Sequence, residues 1–219
     1  MGRVAMAREG GAAWQNVDAM VRKYVDERKV ANMVATLGWG RKDPLTIARG
    51  TLALGGAVKA DPDSLYRIYS MTKPITGMMA MQLISEGKMA LDQPLSDILP
   101  AFANMQVQKE YDGAITEDNL EPAKNPITIR QLLTHTSGLG YQIIQKGALM
   151  DEYYRLGLVP GQVSRMPIPG IPTIEPIGSL ELFADKLATV PLVYQPGTKW
   201  SYSVSLDLMG RVIEVVSGK

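Results

Sequence analysis

The sequence predicts an α+β fold, and three observations predict it. An amphipathic helix near the N-terminus is followed by two strand-like runs joined by a polar turn. A serine then stands where a short extended run meets a helix, with a lysine three residues later. Beyond that junction, short helical segments with recognisable caps carry most of the chain.

Taken in order, Val17, Met20, Val21, Tyr24 and Val25 recur at helical spacing between Trp14 and Arg28. Met33 to Trp39 and Thr46 to Leu54 read as strands, and Arg41-Lys42-Asp43-Pro44 between them as the turn of an antiparallel hairpin. Gly55-Gly56 and Asp61-Pro62-Asp63 mark loops, and a short strand from Leu65 leads to Ser70. The helix from Met71 to about Glu86 carries Ile75, Met78, Met79, Leu83 and Ile84. Pro74 suits its first turn, where an N–H would have no intrahelical partner. Asp92 is the expected cap of a short helix, Pro94 to Leu99, and Thr128 that of Ile129 to Thr134.

Residues 141 to 178 hold many Pro and Gly, several Tyr and little periodicity, the pattern of a functional lid or a disordered connection. Ser179 caps a helix through Ala188, Gln195-Pro196-Gly197-Thr198 is a turn, and Trp200 to Ser203 is extended. The last helix, Val204 to Val216, buries Leu206, Met209, Ile213 and Val216, with Gly218 beyond its end. The implied division is 1–69, an N-terminal helix and β-hairpin, and 70–219, a mainly helical lobe with a lid-like loop at 141–178.

Composition narrows the chemistry. A length of 219 residues suits one sizeable domain or two small lobes, and 46% apolar with 21% charged residues is ordinary for a globular protein. A net charge of +1 offers no electrostatic reason for nucleic acid or an acidic membrane as partner. The sequence has no cysteine, which excludes disulfides, thiolate metal sites and thiol nucleophiles. One histidine, His135, excludes a multi-histidine metal site. The first residues lack an apolar signal core and no run approaches membrane-spanning length, so the protein is expected to be soluble and cytoplasmic. The thirteen methionines are expected mostly to fill core gaps or line an adaptable pocket.

Within that frame, Tyr69-Ser70-Met71-Thr72-Lys73-Pro74 is the candidate catalytic stretch. Residues i and i+3 of a helix share a face, with Cβ atoms roughly 5–6 Å apart, so Ser70 Oγ and Lys73 Nζ can meet. A serine hydroxyl is a poor nucleophile until a neighbouring base takes its proton, and a lysine can be that base only if burial, or the positive end of a helix, disfavours its charged form. The bland alternative is an N-cap serine followed by a solvated lysine. The pattern alone is weak, because Ser85-Glu86-Gly87-Lys88 repeats it where Gly87 ends a helix.

Four ordered stretches decide between them. The first is the Ser70 run; then come Leu91-Asp92-Gln93-Pro94-Leu95, Ile129-Arg130-Gln131-Leu132-Leu133-Thr134-His135-Thr136-Ser137-Gly138-Leu139, and Pro196-Gly197-Thr198-Lys199-Trp200-Ser201-Tyr202-Ser203. With these, the chain resembles the serine β-lactamase-like and penicillin-binding-protein-like family, closest to class C β-lactamases and family VIII carboxylesterases, from about Val17 to the C-terminus. The resemblance implies a β-lactamase-like fold: an antiparallel sheet flanked by helices, plus a mainly helical lobe.

By resemblance, Ser70 is the nucleophile, and Lys73 and Tyr202 move its proton, with no cofactor and no metal. The acyl donor is a small ester or, as alternative, a β-lactam or D-Ala-D-Ala peptide. An alternative of another class is an inactive fragment or a ligand-binding relative that does not turn its ligand over. Two departures matter. Val204 stands where β-lactam-processing members carry an amide, which favours the carboxylesterase. The family's third motif, on a later strand that completes the oxyanion hole, is not found after Tyr202. The chain is therefore expected to be truncated before that motif, its C-terminal strands supplied by a complementing polypeptide or a longer molecule. The match around His135 is structural in the family, and no Gly-x-Ser-x-Gly elbow presents a serine to it, so His135 is not expected to be catalytic.

Overall fold

A computed structural model describes residues 14–38, 40–41, 43–160, 174 and 177–219. The chain divides into two compact units, Met1–Arg67 and Ile68–Lys219.

In the first unit, helix α1 (Gln15–Asp26) packs on the antiparallel pair β1 (Asn32–Leu37) and β2 (Leu45–Gly50), in a register that sets Asn32 opposite Gly50 and Leu37 opposite Leu45. Val21 of α1 and Ile47 of β2 are buried, and Arg49 donates to Asp18 at 3.0 Å, tying strand to helix. β2 ends four residues before the predicted Leu54. Gly50 has φ +85°, and a Cβ there would collide with the Ala31 carbonyl, so the ladder stops at a position only glycine fills. Trp39, the predicted end of β1, lies outside the described residues.

The predicted strand into Ser70 does not form. Tyr69 takes φ +44°, which breaks an extended run, and Tyr66 bonds by its side chain to Asn32 instead of through a backbone ladder.

In the second unit, α2 (Thr72–Ser85) and α6 (Ser205–Ser217) pack on each other, and α3 (Ile129–Leu133) and α5 (Leu180–Leu187) pack on α6. Leu132, Leu139, Leu187, Leu208, Met209 and Val212 are fully buried in this core. A capping box holds the start of α3: Gln131 N–H donates to Thr128 Oγ1, and Thr128 N–H donates to Gln131 Oε1. Ser179 Oγ accepts from Leu182 N–H and caps α5, as predicted. Gly87 and Gly218 end α2 and α6 in left-handed conformations.

Several elements differ from expectation. The helix predicted over Pro94 to Leu99 is a single 3₁₀ turn, Leu95–Asp97, and a second 3₁₀ turn, Pro100–Phe102, follows it. Leu95 N–H donates to the Ile127 carbonyl at 2.7 Å, which holds the start of the segment as a bridge rather than a coil of helix. Asp92 caps nothing there; its carboxylate accepts both Nε and Nη2 of Arg130, at 2.6 and 2.8 Å. A small antiparallel pair, β3 (Gln106–Gln108) and β4 (Leu120–Pro122), joins Leu192 through a parallel bridge. Within 141–178, α4 (Gly147–Leu156) buries Leu149 and Tyr153 where little periodicity was evident.

The methionines divide: Met89, Met105 and Met209 are buried, while Met71, Met78, Met79 and Met81 of the Ser70 turn and α2 are exposed. Apolar residues lie all round α2, so its buried side is Ala80 and Leu83 rather than the Ile75–Met78–Met79 face. No helix among the described residues is long and apolar enough to cross a membrane.

Candidate active site

Ser70 lies in a single 3₁₀ turn, Tyr69–Met71, immediately ahead of α2. Met71 N–H donates to the Ile68 carbonyl at 2.9 Å and closes the turn. Tyr69, just before the serine, holds the left-handed φ of +44° that side chains rarely adopt. Ser70 does not cap α2: Met71 occupies that position, without a side-chain bond. The Ser85–Lys88 pattern is surface structure, since Lys88 N–H closes the end of α2 on the Leu83 carbonyl and Lys88 Nζ pairs with Glu86 at 2.8 Å.

All three predicted site residues meet. Ser70 Oγ is 2.9 Å from Tyr202 Oη, and Lys73 Nζ donates to Ser70 Oγ at 3.5 Å. The same ammonium lies 4.9 Å from the centroid of the Tyr202 ring. Lys73 reaches the serine because both lie on the first turns of one helical stretch. Tyr202 arrives from far along the chain on an extended lead-in to α6. Ser201 N–H donates to the His135 carbonyl at 3.0 Å, and Val204 N–H to the Gly140 carbonyl at 3.1 Å, so this lead-in is pinned to the run 135–140. Val204 is fully buried in the core and offers the site nothing polar.

That run accounts for its glycine. Gly138 has φ +85°, and a Cβ there would strike the Tyr194 carbonyl, while Val193 N–H donates to the Gly138 carbonyl at 2.8 Å.

Charge is distributed unevenly around Tyr202. Burial pushes its phenol up, but the hydrogen bonds with Lys73 and Ser70 and the Lys73 charge outweigh that, and the phenol sits below its ordinary value. Burial raises the carboxyl of Asp207, in the first turn of α6, against the opposing pull of Lys73. Asp207 Oδ2 is buried without a hydrogen-bond partner among the described residues. Burial, with the charges of Asp207 and Tyr202, takes the phenol of Tyr141 up to about 12, and its ring centroid is 5.6 Å from that of Tyr202. The start of the 141–178 segment thus adjoins the site; residues 161–173, 175 and 176 lie outside the described residues.

Sequence reasoning passed over Asp207 and the polar contacts that join the half-buried His135 to the buried Ser137, Ser203 and Ser205. No local signal marks that group, because Thr134, Thr136 and Ser201 make both stretches polar and the partners lie 68 residues apart. Among the described residues, no three His, Cys, Asp or Glu side chains group closely enough to hold a metal ion.

A family model described as Beta-lactamase matches residues 17–219. Protein Rv1367c of Mycobacterium tuberculosis is 33% identical over 196 residues, covering 89% of this chain and 44% of that protein. Esterase EstB of Burkholderia gladioli is 30% identical over 215 residues, covering 98% of this chain and 48% of the esterase. Among solved structures, "EstCE1, a hydrolase with promiscuous acyltransferase activity" superposes with a TM-score of 0.71 at 27% identity, over 94% of this chain and 47% of that one. The chain spans about half the length of the relatives it matches.

Proposed function

The chain belongs to the beta-lactamase family, and from that premise we propose that it is the nucleophile-bearing part of a serine hydrolase, a carboxylesterase acting on small esters. The observation that carries this is the contact of Ser70 Oγ with Tyr202 Oη at 2.9 Å beside the Lys73 ammonium. A phenol drawn toward its ionised form by an adjacent cation can take the serine proton as Oγ attacks the ester carbonyl. The tetrahedral adduct then expels the alcohol, which takes up the proton held by Tyr202. A water, deprotonated by the same pair, attacks the acyl-enzyme and returns the hydroxyl of Ser70. When an alcohol replaces that water the outcome is acyl transfer, the activity named for EstCE1. The names of Esterase EstB and EstCE1 support an ester as acyl donor. Val204 supports it over a β-lactam, since a buried valine offers no amide to a β-lactam or a peptide.

The test is turnover of p-nitrophenyl acetate and butyrate, with a chromogenic cephalosporin alongside. Ester hydrolysis that disappears in Ser70→Ala is the expected result. Cephalosporin turnover exceeding ester turnover would move the assignment to β-lactam chemistry. Wild-type protein that binds esters without releasing nitrophenol would make it a ligand-binding relative.

A further inference from the structure

The only histidine of the sequence lies behind the Tyr202 ring. The two ring centroids are 4.9 Å apart and tilted by 34°, and Trp200 meets the imidazole edge-on at 6.3 Å. His135 Nδ1 accepts from Ser203 N–H at 3.2 Å, and Ser203 Oγ is also 3.2 Å from it. Its carbonyl accepts from Ser201 N–H at 3.0 Å and from Tyr194 Oη–H at 3.4 Å. Tyr202 is thus flanked on both sides by residues whose backbone is bonded to His135.

Behind Ser203 the polar contacts continue inward. Ser203 Oγ is 2.7 Å from Ser205 Oγ, which is 2.8 Å from Ser137 Oγ, and all three serines are buried. Ser205 N–H donates to Ser203 Oγ at 3.3 Å, and Leu139 N–H to Ser137 Oγ at 3.2 Å. Each hydroxyl has one proton to give. If Ser137 donates to Ser205, Ser205 to Ser203, and Ser203 to Nδ1, every proton has an acceptor. In the opposite direction the Ser137 proton ends the run with none of these oxygens left to receive it. Buried hydroxyls are nearly always satisfied, so the run is directed toward Nδ1, which must be unprotonated.

We propose that His135 is the positioning residue of this site: its unprotonated Nδ1 anchors Ser203 and the buried serine run, and through Ser203 holds Tyr202 with Oη at Ser70 Oγ. The proposal rests on the proton-accepting role given to Tyr202 above.

Protonation at Nδ1 would set two N–H donors against each other at Ser203 and reverse the serine run. The groups facing the imidazole are Ser203, Tyr202, Trp200 and the Lys73 cation; Tyr194 bonds to the His135 carbonyl, and Asp207 acts on Lys73 and Tyr202. Burial, and then the Lys73 charge, hold the imidazole below its ordinary value of 6.5. Because the folded protein disfavours the proton that the unfolded chain accepts, the anchoring is present above pH 6.5 and is lost as pH falls through the folded value, which lies below it.

A single histidine makes the test direct. Long-range 15N–1H NMR should show the Nε2–H tautomer, titrating below pH 6.5; the Nδ1–H tautomer, or titration at the ordinary value, overturns the proposal. Labelling of Ser70 by a fluorophosphonate gives the second readout. His135→Phe keeps a ring but removes the acceptor, and should slow the maximal labelling rate about 10²-fold, the loss for roughly 1 Å of misplacement, with probe affinity unchanged. His135→Asn tolerates the φ of +55° found here and restores an acceptor. It should retain most of the rate and lose the histidine's part of the acid limb of the pH profile. A His135→Phe protein labelled at the wild-type rate, or His135→Asn as impaired as His135→Phe, overturns the proposal. Should His135→Phe not fold, the tautomer and the His135→Asn profile still decide it. Wild-type protein that Ser70 probes fail to label would count against the proposed function, and the NMR outcome would then judge the anchoring alone.

Discussion

Ser70 and Lys73 lie on one exposed turn and the helix it opens, within four residues of each other. Tyr202 hangs instead from a segment joined to a buried polar run more than sixty residues earlier in the chain. The first half of the site is therefore a local object, set by helix geometry. The second is a tertiary object, set by His135, Gly138 and three serines. Changes to the reacting side chains should alter chemistry and leave the fold; changes to the run that holds Tyr202 should reach chemistry through the fold.

The sharpest test of that contrast is at the reacting groups. Tyr202→Phe and Lys73→Ala should each lower the rate of Ser70 acylation by about two to four decades, the range for losing a general acid–base group. The double variant should lose less than the sum, because the two act as a unit. Pre-steady-state nitrophenol release measures this, and additive losses would show that they do not share a proton.

Gly138→Ala comes next, and should act through stability. It forces a side chain into a left-handed φ and against the Tyr194 carbonyl, which should cost about 2 kcal/mol or more. Thermal or urea unfolding would show it, and an unchanged midpoint would mean that the run 135–140 yields more easily than its contacts suggest.

The smallest expected effect is a shift of pH dependence. The Asp207 charge works against ionisation of Tyr202, so Asp207→Asn should move the acid limb of the acylation profile to lower pH. The same change bears on stability with a definite sign. Burial raises the folded carboxyl above its unfolded value of 3.8, so its favourable contribution is present below that value and lost as pH rises through the folded one. Asp207→Asn should therefore stabilise the protein at neutral pH relative to acid pH. Melting curves at pH 4 and pH 7 check it; a uniform shift at both would place the carboxylate in a more solvated setting.

The same contrast explains what could be read from the sequence. Thr128, Ser179 and Gly218 mark helix ends through bonds to residues three or four away, and those ends lie within a residue of prediction. Ser70 and Lys73 are legible for the same reason. Tyr202 was found by resemblance alone, since nothing local says that it returns to Ser70. The serine run escaped notice because a hydroxyl's partner sixty-eight residues away leaves no periodic trace. α4 was obscured by Gly147 at its start and by flanking loops, although Leu149 and Tyr153 stand at i, i+4. β3 and β4 span three residues each, too short for alternation to register.

Tyr69 has one further consequence. Elsewhere in this unit, left-handed positions such as 87, 157 and 218 are filled by glycine, which adopts them without strain. At 69, as at Asp112 and His135, a residue with a side chain does so instead, here a bulky ring directly before the serine, at a cost on the order of 1–3 kcal/mol. A search for heat-resistant variants would be drawn to this position, since glycine or asparagine there relieves the strain. The same substitution would free the backbone that aims the Ser70 hydroxyl. Thermal tolerance and turnover are set against each other at a single residue.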